Sequence, residues 1–243
     1  MEQKPSTPPK RTELHMARSM CWHCQSEVTG EYFCEQCVKV QPLSKELDYF
    51  TCLGLPRLLN IDLADMETKF YALSRSFHPD FYHNKTGSEQ AISLDNSALL
   101  NTAYRTLKDP VQRAEYLLKL EAGSAKDIRT SPPADLFEEI LALQEDLEAY
   151  RAAQPDQASK TLKPLKAKLA ADRGQLELRQ REMEATLASL FTAWDLLQTK
   201  AGSAPVDDEL RKERESILKE LRELLSNRTY LRNIITDLVA AMA

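Results

Sequence analysis

The sequence predicts an all-α protein, and three observations carry that reading. Only 6 glycines and 7% aromatic residues occur in 243 residues, a composition that tilts the chain toward helices rather than sheets. Leu63, Met66, Phe70, Leu73 and Phe77 follow one another at spacings of 3, 4, 3 and 4, a continuous apolar stripe at helical period. From Ala134 onward the chain reads as three amphipathic stretches with short or mid-length connections, which bury their stripes by packing into a bundle. The expected architecture is a helical hairpin followed by a C-terminal three-helix bundle, with a small tetracysteine module in front.

Composition also narrows the function classes. A hydrophobic fraction of 42% beside 28% charged residues describes a soluble globular chain. The formal net charge of −5 argues against a nucleic-acid binder, which concentrates positive charge on at least one face. No apolar run approaches the roughly 20 residues that a membrane span requires. No phosphate-cradling or dinucleotide-binding glycine loop and no zinc-protease helix motif is present, so enzyme activity is not expected.

In chain order, residues 1–20 carry Pro5, Ser6, Thr7, Pro8 and Pro9 with little apolar content, and read as a disordered leader. They lack the apolar core of a secretory signal. Glu2, Glu13 and the prolines also oppose a basic amphipathic presequence, which favours the cytoplasm over the mitochondrial matrix. Five cysteines fit either reducing compartment.

Residues 21–41 hold Cys21-Trp22-His23-Cys24 and Cys34-Glu35-Gln36-Cys37, two C-x-x-C pairs separated by nine residues. Each pair sits on one tight turn, and two such knuckles fold onto one tetrahedral ion. Four sulfur ligands with no open position describe a structural Zn2+ site; the alternatives are metal-free thiol pairs or a rubredoxin-like iron site. His23 is a solvent-facing residue in this reading, and Trp22 and Phe33 form an apolar lid over the sulfurs. Gln41 to Lys45, with Pro42, reads as a linker.

Asp48-Tyr49-Phe50 opens a short helix that Leu53-Gly54-Leu55-Pro56 breaks. Cys52 is expected to be a buried thiol acting as a small hydrophobe. The helix from Leu63 ends at Phe77, because Pro79 lacks an N–H and drives His78 out of the helical region. Glu89 to Asp109 carries Leu100, Ala103, Tyr104 and Leu107 on a matching face. The two segments pair antiparallel and place His78-Pro79-Asp80 at an exposed tip. Two residues apart in a proline turn, His78 and Asp80 cannot converge on a substrate, and no third group is suggested nearby.

Gly123 to Pro133 reads as a separator. The three later helices are expected at about 134–151, 156–200 and 206–242. Gly202-Ser203-Ala204-Pro205 before Asp207-Asp208 supplies the last stop and start. Pro164 marks either the first turn of the middle helix or a kink in it. Leu187, Leu190, Trp194 and Leu197 share one face.

Asp48-Tyr49-Phe50, Leu53-Gly54-Leu55, Phe77-His78-Pro79-Asp80 and Asn101 to Leu107 together resemble a J-domain, here residues 47–122. In that family the His-Pro-Asp loop stimulates ATP hydrolysis by DnaK-type heat-shock chaperones. Asp109-Pro110 and Arg113-Ala114-Glu115-Tyr116-Leu117-Leu118 are similar to one branch, the HscB-type co-chaperones of iron–sulfur cluster assembly. Some members of that branch also carry Cys-Trp-x-Cys and Phe-Cys-x-x-Cys ahead of the J-domain, and the branch ends in a three-helix bundle, here 134–243. The segment 160–210 is longer than usual in the branch, and no function is transferred onto it. Phe81 stands where most J-domains have Lys, a departure that some HscB-like members share.

The resemblance implies an HscA/DnaK-type chaperone ATPase and an IscU-type iron–sulfur scaffold as partners, with no nucleic acid and no membrane. It implies that Lys69, Arg75, His78, Pro79 and Asp80 face the chaperone, against an ordinary solvated role for Lys69 and Arg75. It places scaffold contacts at Phe137, Leu141 and Glu145, spaced by four on one helical face, completed by Tyr230. The bland alternative makes Phe137 and Leu141 bundle core and Glu145 a solvated charge. Glu138 and Ala142 depart from the family, which normally has an apolar residue and an acid there, so the patch is expected to be narrower or altered in client preference. A second functional reading is a J-domain co-chaperone for other, unfolded clients recognised by the zinc module and bundle. A third is a zinc-dependent nucleic-acid binder with a coincidental His-Pro-Asp.

Overall fold

The computed structural model describes residues 19–28, 32–44, 47–121, 137–153, 161–201 and 208–242. Residues 1–18 of the expected leader, the separator at 123–133, Lys45 and the break at 202–205 lie outside these residues, whereas Ser19 and Met20, the leader's last two, form a strand because the chain pairs back on itself around the first cysteine pair. The chain divides into two units, one ending at Leu120 and the other starting at Glu121.

In the first unit, a two-stranded antiparallel ribbon, β1 (Ser19–Met20) and β2 (Glu27–Val28), frames the first cysteine pair. Helix α1 (Tyr49–Cys52) starts at Asp48, whose carboxylate accepts from the Thr51 amide, and ends before Gly54, which adopts φ +63°. That left-handed turn is the conformation glycine enters without a Cβ penalty. Helix α2 (Leu63–Phe77) is capped by Asp62 and terminates at His78, whose backbone is extended. The proline thus stops the helix at the expected residue. A 3-10 turn over Pro79–Phe81 leads on to α3 (Gly87–Lys108), which opens with a reciprocal Thr86–Glu89 capping box. Asp109 ends α3 and caps α4 (Pro110–Glu121), its carboxylate accepting from the Val111 and Gln112 amides.

Met66, Leu73 and Phe77 of α2 are buried together with Leu100, Ala103 and Leu107 of α3. Tyr104 stacks on Phe70 with ring centroids 4.1 Å apart. Leu63 departs from the predicted stripe: in the first turn of α2 it is exposed. Cys52 is fully buried. Tyr116 of α4 stacks on Tyr49 at 4.2 Å, and its hydroxyl accepts from the Tyr49 amide. Arg113 is also buried, donating to the carbonyls of Leu59 and Leu107.

The second unit consists of α5 (Phe137–Ala153), α6 (Leu162–Ala201) and α7 (Asp208–Met242). Pro164 lies in the first turn of α6, where a missing N–H breaks no helical hydrogen bond, so no kink is needed. Ile140, Leu143, Leu147 and Tyr150 of α5 are buried with Leu169, Leu176 and Met183 of α6 and Leu231 and Leu238 of α7. Lys168 ties α6 to Asp146 of α5 at 2.5 Å. Leu187, Leu190, Trp194 and Leu197 are all buried, as their common face predicts.

Candidate functional sites: a tetracysteine metal centre and an exposed His-Pro-Asp loop

Each C-x-x-C pair folds as a knuckle whose next residue turns left-handed, Gln25 at φ 62° and Val38 at φ 57°. The amides of these residues return to the carbonyls of Cys21 and Cys34. For a β-branched residue such as Val38 that conformation is strained, and it is retained because the turn aims the sulfurs inward. The Cys21 and Cys37 sulfurs lie 3.7 Å apart, those of Cys24 and Cys34 3.6 Å, and all four fall within 4.8 Å of one another.

Thiolates about 2.3 Å from a tetrahedral ion would stand roughly 3.8 Å apart, so these four fit one metal ion. The Ser26 hydroxyl and the amides near it draw the Cys34 thiol down to about 6, whereas burial pushes Cys37 up to about 12. Four thiols this close cannot all ionise unaided, and a cation at their centre removes that repulsion.

His23 is exposed and outside the ligand set, as expected. The expected lid of Trp22 and Phe33 is not what covers the sulfurs. Val28 packs with Cys21 and Cys34 instead, while the Trp22 indole donates to the Val40 carbonyl. Phe33 turns away because a larger apolar surface, the ring of Phe77, is available to stack on at 6.4 Å. The segment after the second knuckle is likewise not a free linker. Gln41 is buried, its carbonyl accepts from Asn96 of α3, and the Leu43 amide donates to the same Asn96 side chain.

At the loop, the Asp80 amide donates to Nδ1 of His78 at 3.3 Å, and the Asp80 carboxylate lies 3.5 Å from the same nitrogen. Local bonds hold the turn: the Phe81 amide donates to the His78 carbonyl, and the Tyr82 hydroxyl donates to the Ser76 carbonyl at 2.9 Å. The side chains themselves face water, His78 at 51% and Asp80 at 87% exposure. Phe81 is exposed beside them, its ring steeply inclined to that of His78 with centroids 6.1 Å apart.

Arg75 is exposed on the outer face of α2. Lys69 is half-buried, paired with Asp65 at 2.7 Å and donating to the Gly54 carbonyl. An ammonium so engaged is a local tie between α2 and the turn after α1, so Arg75 and Lys69 do not form an equivalent pair of free cations.

On α5, Phe137 is 55% exposed and Leu141 50%, with Glu145 also exposed. The core face of the helix is the other one, through Ile140, Leu143, Leu147 and Tyr150. The alternative that made Phe137 and Leu141 bundle core therefore fails. Tyr230 differs from these three, being half-buried and packed against the unit's core.

Sequence reasoning missed the residues that seat the metal module on α2 and α3, namely Tyr32, Lys39, Gln41, Glu89 and Asn96. Only Phe33, an aromatic next to a cysteine ligand, hinted at an apolar contact there.

No protein-family model matches the chain. Over 125 residues it is 34% identical to the iron–sulfur cluster co-chaperone protein HscB homolog of Arabidopsis thaliana, covering 51% of this chain and 49% of that one. The chain thus matches about half the length of that plant relative. It is 32% identical over 151 residues to the co-chaperone protein HscB of Proteus mirabilis (strain HI4320), covering 62% of this chain and 83% of the bacterial one. The crystal structure of human co-chaperone protein HscB superposes with a TM-score of 0.63 at 22% identity, over 91% of this chain and 98% of the human one, a likeness of fold. With 83% of the bacterial relative spanned at 32% identity and the fold shared, the chain belongs to the HscB co-chaperone family.

Proposed function

We propose that this protein stimulates the ATPase of an HscA/DnaK-type heat-shock chaperone and delivers an IscU-type iron–sulfur scaffold to it, promoting cluster transfer. The observation that carries the reading is the His78-Pro79-Asp80 turn. Its backbone is fixed by Pro79 and by bonds to His78, Ser76 and Pro79 carbonyls, while its side chains point into water. A rigid turn that presents an imidazole and a carboxylate loses little entropy on docking.

Nδ1 of His78 is engaged inside the turn by Asp80, and Nε2 is left to meet the chaperone. Asp80 accepts from a guanidinium or amide of the partner, and Arg75 supplies positive charge against an acidic surface. Lys69 contributes by steadying the α1–α2 turn and adding charge at the flank. The protein itself breaks no covalent bond in this reaction. Its J-domain, residues 47–122, presents the loop, and its bundle, residues 134–243, holds the scaffold. The scaffold lies against Phe137, Leu141 and Glu145, completed by Tyr230.

The tetracysteine module, residues 21–41, holds a structural Zn2+ on Cys21, Cys24, Cys34 and Cys37. Its four sulfurs leave no open position for a substrate. The protein acts in the cytoplasm. Among the described residues no helix is long and apolar enough to cross a membrane.

Client choice is tested by titrating an IscU-type scaffold and, separately, a permanently unfolded polypeptide into the full-length protein. The reading expects saturable binding of the scaffold and at least tenfold weaker binding of the unfolded chain, a difference of about 1.4 kcal/mol. Equal affinity for both overturns the scaffold assignment in favour of a general-client co-chaperone.

A further inference from the structure

The tetracysteine module grips both stems of the His-Pro-Asp loop. On the α2 side it holds Phe77, the last helical residue before His78. The Phe77 ring is fully buried, with Tyr32 edge-on at 5.4 Å and Phe33 stacked at 6.4 Å. Its carbonyl, which the proline break deprives of a helical partner, accepts from Ser93 at 2.7 Å and Ser97 at 2.8 Å. On the α3 side Lys39 of the second knuckle pairs at 3.0 Å with Glu89, a buried carboxylate. Glu89 is also the residue whose capping box with Thr86 fixes where α3 begins.

A polar chain links the metal ligands to the same helix. The Gln41 side chain donates to the Cys21 sulfur at 3.4 Å, and its own carbonyl accepts from Asn96 at 2.9 Å. These contacts exist only while the module is folded. Its apolar cluster is Val28 with the cysteines themselves, and its strands are two residues each. So small a unit lacks the core to fold without its ion.

We infer that metal at the tetracysteine centre sets the order of the His78-Pro79-Asp80 loop, with Tyr32, Phe33, Lys39 and Gln41 as the positioning residues that transmit occupancy to Phe77, Glu89 and Asn96. Because coupling free energies are reciprocal, docking on α2 and α3 also tightens metal binding by the module. The inference rests on the metal centre proposed above. The visible absorption of a cobalt-loaded sample, characteristic of tetrahedral thiolate ligation, shows separately whether that centre fills.

The test is hydrogen exchange on the full chain, metal-loaded and after chelation, beside a Tyr32→Ala/Lys39→Met variant. That variant keeps all four cysteines but loses the Tyr32 contact with Phe77 and the Lys39 pair with Glu89. Exchange across residues 73–93 is expected to rise about tenfold on chelation and equally in the loaded variant, while residues 161–201 stay unchanged. In competition with a chromogenic chelator at equilibrium, Glu89→Gln/Asn96→Ala is expected to bind metal about tenfold more weakly than the wild type. Changes confined to residues 19–44, with metal affinity unaltered, overturn the coupling. A cobalt-loaded variant whose loop exchanges like the wild type does so too. Failure of the wild type to take up cobalt at four sulfurs overturns the metal centre itself and the coupling with it.

Discussion

Truncating Phe137 and Leu141 together separates the proposed scaffold patch from the bundle core, and the burial of each residue sets the size of the effect. Phe137 keeps 55% of its surface and Leu141 50%. Full burial of such a side chain contributes about 1.5–3 kcal/mol, so the half that is covered is worth roughly 1 kcal/mol per residue. A fully buried aromatic would cost about 3–5 kcal/mol when cut to alanine. Phe137→Ala/Leu141→Ala is therefore expected to lose no more than about 2 kcal/mol of stability in urea while weakening scaffold binding more than tenfold. Tyr230 is a poorer probe, because it is half-buried against the core cluster of the bundle and its truncation destabilises the bundle as well. Tyr230→Phe, which removes only the hydroxyl, is the cleaner companion. Calorimetric titration of scaffold, paired with denaturant melts, reads both quantities. Wild-type affinity in the double variant would refute the patch, and a loss of more than about 4 kcal/mol would refute the exposure argument.

Other expected outcomes follow from the same residues. Metal analysis of the purified protein should give one zinc per chain, and Cys34→Ser should abolish it while leaving the helical circular dichroism of residues 47–242 largely intact; iron–thiolate absorption would replace zinc with iron. Burial raises the Tyr116 hydroxyl to about 12. The folded state thus holds that proton more tightly than the unfolded state, so this residue's stabilisation is complete below pH about 10 and is lost as pH rises through 12. Burial and the nearby Glu89 carboxylate also raise the Tyr82 hydroxyl, so of the 8 tyrosines more than one should ionise late in an ultraviolet alkaline titration, and Tyr116→Phe should remove part of that late phase.

Much of this molecule was legible in the sequence where one local rule dominates. The Leu63–Phe77 helix ends at the predicted residue because Pro79 leaves no other choice, and Asp109-Pro110 stops one helix and starts the next through a single carboxylate. The four metal-site cysteines converge because spacing within each knuckle is set by a few covalent bonds. What stayed hidden was tertiary. Nothing near Lys39 marks Glu89, fifty residues later, as its partner, and Asn96 looks like any polar residue on a helix until Gln41 and Leu43 are seen bonded to it. Phe33 was assigned to the sulfurs because they are its neighbours in sequence, but Phe77 offered the larger apolar surface. The local partners of Lys69, Asp65 and the Gly54 carbonyl, are likewise not marked by the apolar stripe that places it on the flank of α2. Burial likewise divides the proposed patch, leaving Phe137, Leu141 and Glu145 on the surface and drawing Tyr230 toward the core.

The central claim is that the exposed loop acts on a chaperone ATPase, and single-turnover ATP hydrolysis by an HscA/DnaK-type chaperone measures it most directly. Wild-type protein is expected to accelerate hydrolysis, and to do so further when an IscU-type scaffold is present. His78→Gln and Asp80→Asn should abolish the acceleration with stability changed by under about 0.5 kcal/mol, since both side chains are solvent-facing. If either variant melts like the wild type and stimulates hydrolysis equally well, the loop is not the effector and the co-chaperone mechanism proposed for this chain is wrong.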